Sequence, residues 1–271
     1  MPDKEESPKA GASVEIDEIR TIDALESRTY AERFLRFNPE FTLFRRGVSL
    51  GVNLIHFLGD APPKDNYDRT QRDLASDTID SLWLAEHALL RGYENHSLSL
   101  LRRAYETISL MAYFFNYPDK LPQWENGGRI RQSTIRLALH SAPYPEPKET
   151  LDEMYRVYSL FTHVNRETIY HRLLGEPNRL TLGCQGNSDE INYGSVVREL
   201  LRQASWFVDV ANFVFLKLGL RPPDSYAQET LRYRGRVVEL ALKLPALFPE
   251  HSAASRPAGG GVPKTPPSGR P

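Results

Sequence analysis

Glu94-Asn95-His96-Ser97-Leu98-Ser99-Leu100-Leu101-Arg102-Arg103-Ala104-Tyr105-Glu106-Thr107-Ile108-Ser109-Leu110-Met111-Ala112-Tyr113-Phe114-Phe115 is a helical stretch that is apolar almost all the way round yet carries an Arg-Arg pair and a Glu. A helix without a broad polar face belongs at the centre of a bundle, where its charges need partners. At 100° per residue, Arg102, Glu106, Ser109 and Tyr113 share one narrow stripe. Arg102 and Glu106, four apart, are spaced to pair along the helix, whereas Arg103 lies on an apolar flank and must find a carboxylate or carbonyl on another helix. The preceding helix offers Asp73, Asp77 and Asp80, at intervals of four and three, on one face. The bland reading is a structural ion-pair network of Arg102, Arg103, Glu106, Asp77 and Asp80; the functional one is a ligand site. Three carboxylates beside arginines compensate each other without a metal, so no metal is expected there.

Outward from this helix, apolar residues recur at helical spacing in block after block, and alternating strand-like runs are nearly absent. The expectation is an all-α protein, a single bundle of about seven or eight helices. They are placed at about 14–37, 40–58, 65–92, 95–116, 129–140, 149–174, 190–219 and 225–246, with 65–92, 95–116, 149–174 and 190–219 forming the core. The breaks fall at Asn38-Pro39, Gly59 to Pro63, Tyr117-Pro118 with Pro122, Asn126-Gly127-Gly128 and Ala142 to Pro147, where helix-ending residues cluster. Gly175 to Ser188 reads as an ordered loop or small hairpin. Residues 1–13 and 251–271, the latter rich in Pro, Gly and Ser, read as disordered tails flanking a bundle domain over 14–250.

Composition excludes several classes. The 271 residues carry 34 Lys and Arg against 35 Asp and Glu, so no global field draws the chain to nucleic acid or to an acidic membrane. The preference for Arg over Lys fits phosphate or carboxylate recognition, and equally the base composition of a GC-rich genome. One cysteine, Cys184, permits neither an intramolecular disulfide nor a Cys-based zinc site, which suits a reducing cytoplasm. The acidic start Met1 to Pro8 is no secretory signal, and the longest apolar run, Trp206 to Leu220, is too short and too interrupted to span a membrane. No nucleotide-binding glycine loop, nucleophile elbow or helical metal motif is present, so no cofactor is expected.

A second constellation lies in Tyr158-Ser159-Leu160-Phe161-Thr162-His163-Val164-Asn165-Arg166-Glu167-Thr168-Ile169-Tyr170-His171. On one continuous helix Met154, Val157, Phe161, Val164 and Thr168 form the core stripe, and His163, Arg166 and Tyr170 gather on the opposite face. That face is either solvated surface or a site with a base, an anion clamp and a proton donor suited to phosphodiester chemistry.

Two segments carry a family resemblance. Arg91-Gly92-Tyr93 through Leu100-Leu101-Arg102-Arg103-Ala104-Tyr105-Glu106 to Tyr117-Pro118 resembles a Leu-Leu-Arg-x-x-x-Glu helix, and Tyr158 to Asn165 a Leu-Ser-x-x-x-His helix, of a bacterial domain-of-unknown-function family related to the HEPN superfamily. The matching region is about residues 70–215. The resemblance implies a bundle in which Arg102 or Arg103, Glu106 and His163 converge. For HEPN proteins proper it implies a metal-independent ribonuclease whose Arg-x4–6-His motif, matched by Arg166 to His171, completes its site across a homodimer. Glu167 stands where that motif carries Asn, Asp or His, and Arg166 and His171 are about 140° apart on a regular helix. Two functional expectations follow: a non-catalytic helical binding or regulatory module, of stress response or phage defence, with a protein partner; or a HEPN-like RNase acting on RNA through His163, Arg166 and His171.

Overall fold

The computed structural model describes residues 12–58, 62–140, 151–152, 155–156, 158–159 and 190–244. Every regular element among them is helical, as the periodicity requires. In chain order these are α1 (Ala12–Arg36), α2 (Asn38–Phe57), α3 (Asn66–Leu90), α4 (Glu94–Asn116), a 3-10 turn (Pro118–Lys120), α5 (Leu121–Glu125), α6 (Gln132–His140), α7 (Glu190–Lys217) and α8 (Asp224–Ala241). The six described residues between 151 and 159 are also helical. The expected tail at 251–271, all but Ala12 and Ser13 of that at 1–13, the loop at 175–188 and most of 149–174 lie outside the described residues; α1 already begins at Ala12, two residues inside the expected tail.

Helices α3 and α4 form the most extensively packed hairpin among the described elements. Asp65 caps α3, its side chain accepting from the Asp68 amide at 2.7 Å, while Asp68 accepts from the Lys64 amide at 3.0 Å; these bonds satisfy amide donors at and just before the helix start. At the other end Gly92, at φ 98°, ends the helix. The Tyr93 amide donates to the Ala88 carbonyl at 2.9 Å and the Gly92 amide to Leu89 at 3.1 Å, a Schellman arrangement that needs a left-handed residue at glycine's position. The chain then returns antiparallel: Asp77 meets Arg103, Thr78 meets Thr107 and Gln71 meets Met111. The same motif at Gly219 (φ 91°) closes α7.

Helices α2, α3, α4 and α7 enclose one core. Buried side chains cover most of the circumference of α4, with Leu101, Ala104, Tyr105, Ile108, Met111 and Phe114 fully enclosed, so the opening stretch is central as read. Helix α2 was not among the expected core helices, and it too lies at the centre. Phe41, Phe44, Leu50 and Leu54 are buried, and α2 lies along α7. Its glycines explain the approach: a Cβ on Gly51 would run into the Phe207 ring of α7, and one on Gly47 into the Tyr233 side chain of α8. The Tyr117 to Gly128 region, expected to be a connector, instead forms the 3-10 turn and α5, because Pro118 and Pro122 sit in first turns where proline is tolerated.

Candidate functional site

The polar window of α4 faces two ways. Arg102 Nε donates to Glu106 Oε1 at 2.9 Å, and Nη2 to the Tyr155 hydroxyl at 3.2 Å. The same tyrosine ring lies 5.1 Å from the Arg102 guanidinium carbon and 4.2 Å from that of Arg136, whose Nε donates to Asp152 Oδ1 at 2.7 Å. Two cation–π contacts on one ring hold α4 and α6 to the segment carrying Asp152 and Tyr155. Arg103, the next residue, turns the opposite way and pairs with both oxygens of Asp77 on α3. Its side chain is 65% exposed and that of Asp77 31%. The expected buried charge is thus a rim charge, because the hairpin seam itself is made by Thr78 and Thr107, hydroxyl to hydroxyl at 2.8 Å. Asp80 is exposed and contributes only its field to Arg103, and Asp73 is exposed as well.

Of the expected cluster, the structure therefore joins Arg102 to Glu106 and Arg103 to Asp77, in two separate places. His163, Arg166, Tyr170 and His171 lie outside the described residues. The convergence of His163 with this helix is not among the described features.

Sequence reading missed an enclosed polar group on α7. Tyr158 donates to Glu199 Oε1 and accepts from Gln203 Nε2 at 2.9 Å, while Arg202 Nε donates to both Glu199 oxygens at 3.0 Å. Glu199, Arg202 and Gln203 stand at i, i+3 and i+4 on α7, and Glu199 is only 7% exposed. Burial opposes its ionisation, but Arg202 and the bonds from Tyr158 and Gln203 outweigh that and hold the carboxyl below its usual range. Burial, reinforced by the Glu199 charge, pushes the Tyr158 hydroxyl well up, so it stays a donor. Tyr105, ring centroid 5.8 Å from Tyr158, has its hydroxyl pushed up to about 12 by burial, against the pull of Arg136 and Arg202. The sequence signal was Glu-Leu-Leu-Arg-Gln inside an apolar block.

A second missed group ties α1 to the bundle. Arg33 pairs with Glu94 at 2.7 Å, donates to the Leu89 carbonyl at 2.8 Å and lies 4.4 Å over the Tyr193 ring. Arg45 pairs with the fully buried Glu86 at 2.7 Å and donates to the Tyr30 hydroxyl. Burial raises the Glu86 carboxyl despite Arg45, and its second oxygen has no hydrogen-bond partner.

Each of these arginines is committed to a carboxylate of the same chain. Among the described residues no group of three His, Cys, Asp or Glu is arranged to hold a metal ion, and no helix is long and apolar enough to cross a membrane. No family model, no curated protein and no solved structure matches the chain.

Proposed function

We propose that this chain is a non-catalytic helical binding or regulatory module whose charged interior is structural. One observation carries the reading: Arg102, Arg136 and Arg202, the arginines turned toward the interior, each donate to a carboxylate within the protein. A phosphate or carboxylate ligand requires a guanidinium fork free to receive it. Here each fork is at least partly occupied, and binding an anion would first cost an internal pair. The near-balance of acidic and basic residues agrees, since tight binding to RNA relies on uncompensated cations. On this reading the family resemblance reflects a shared helical scaffold, working in a reducing cytoplasm in stress response or phage defence.

The resemblance also names the competing activity, metal-independent RNA cleavage through His163, Arg166 and His171. Incubation of total RNA and tRNA with the purified protein in EDTA separates the two. The expected result is intact RNA at every protein concentration. Cleavage that survives the chelator and disappears in His163→Ala, Arg166→Ala or His171→Ala would replace the module with the nuclease.

A further inference from the structure

Helix α8 is apolar on two sides. Tyr226, Thr230, Tyr233 and Val237 are buried on the side that packs on α2 and α7. At 100° per residue, Ala227, Leu231, Gly235, Val238 and Leu242 fall within about 40° of a different line, at least 60° from every one of those buried positions. All five are exposed: Leu231 is 67%, Val238 60% and Leu242 74% open, and a Cβ on Gly235 would meet nothing. Single exposed leucines are ordinary, but three large apolar residues aligned on one helix face form a contiguous patch. With Gly235 included, the intervals of four, three and four from Leu231 to Leu242 are those of a two-helix seam.

We infer that this face docks against a second copy of the chain, α8 against α8, antiparallel about a two-fold axis near residues 236–237. The charges select this occupant. Arg232 and Glu239 lie on the same flank of the stripe, seven residues apart, and both are exposed; Glu239 is bonded along its own helix to Lys243 at 3.1 Å, an exposed pair of the kind that exchanges readily. Reversing one helix sets Leu231 opposite Leu242 of the second copy and Gly235 opposite Val238. It also brings Arg232 beside Glu239 of the second copy, twice by symmetry. The other flank carries Arg234, already held by Asp209 of α7 at 3.2 Å, and Lys243, which the same reversal also brings near Arg232, is paired with Glu239 of its own chain, so each like charge at the seam has a carboxylate beside it. Gly235 lets the two backbones approach where its missing side chain leaves room, and antiparallel helix dipoles add a small favourable term. Self-complementarity of one patch is what an isologous dimer requires. The inference stands independently of whether the chain cleaves RNA.

Light scattering on the full-length protein during size exclusion tests it. The parent is expected to run as a dimer at micromolar concentration, and Leu231→Glu with Val238→Glu as a monomer of unchanged helicity by circular dichroism. Arg232→Glu alone and Glu239→Arg alone should each weaken the dimer about threefold to tenfold, and the two together should restore it. A parent that stays monomeric into the high micromolar range overturns the inference, and so does a dimer indifferent to the Leu231 and Val238 substitutions. If the monomeric parent becomes dimeric only when cut after Leu244, residues 245–271 rather than a second copy cover the face. A dimer weakened by Glu239→Arg but not by Arg232→Glu contradicts the antiparallel register.

Discussion

Two arginine–carboxylate pairs on neighbouring helices, Arg103–Asp77 and Arg202–Glu199, look alike on paper and differ in almost every physical respect. The first spans the α3–α4 hairpin at its rim, with Arg103 largely in water. The second lies within one helix, and its carboxylate is almost fully enclosed and further bonded by Tyr158 and Gln203. A rim pair exchanges water for a partner at little net gain. An enclosed carboxylate has lost its water, so its stability rests on the protein donors that replaced it. The lesson is that the enclosed pair is fixed by its surroundings, whereas the rim pair can be lost with little consequence.

Removal of the enclosed carboxylate has the largest expected effect. Glu199→Ala leaves Arg202, itself 31% exposed, without its carboxylate and the buried Tyr158 without its acceptor, and should cost about 2–3 kcal/mol in urea unfolding. Acid titration of stability separates Glu199 from Glu86. Glu199 has a lowered folded pKa, so its stabilisation is complete above the unfolded carboxylate range and is lost as pH falls through the folded value. Glu86 has a raised one, so its contribution is present in acid and is lost as pH rises through the folded value. The penalty of Glu199→Gln relative to the parent should therefore shrink in acid, and that of Glu86→Gln should shrink as pH rises. Equal slopes in the two difference curves would contradict the assigned environments. The smallest effect belongs to the rim: Asp77→Asn should cost less than about 1 kcal/mol.

The all-α architecture was legible because helical periodicity is local and the connectors are marked by Pro and Gly. Glu94 to Phe115 gave away its own centrality, and Arg102–Glu106 could be read from a spacing of four. The partner of Arg103 was legible from the aspartate face of α3, but its exposure was not, since that depends on which side of the hairpin seam the side chain falls. Glu199, Arg202 and Gln203 were missed because charged residues three and four apart on a helix ordinarily mark a solvated face. Only the packing of Tyr158 onto them, itself seated against Tyr105, makes that face interior. The role of α2 was hidden for a similar reason: Gly47 and Gly51 look like weak helix formers until the rings of Tyr233 and Phe207 are seen lying against them. The apolar stripe of α8 was present in the sequence, but periodicity alone does not separate a face that packs from one left open.

On the proposed reading the charged interior of this bundle is structural, and enclosure decides which pair matters. Side-by-side urea unfolding of Glu199→Ala and Asp77→Asn at neutral pH tests it most directly. A loss for Glu199→Ala several times that for Asp77→Asn, with both proteins still helical, is the expected result; equal losses, or a Glu199→Ala protein as stable as the parent, would contradict it.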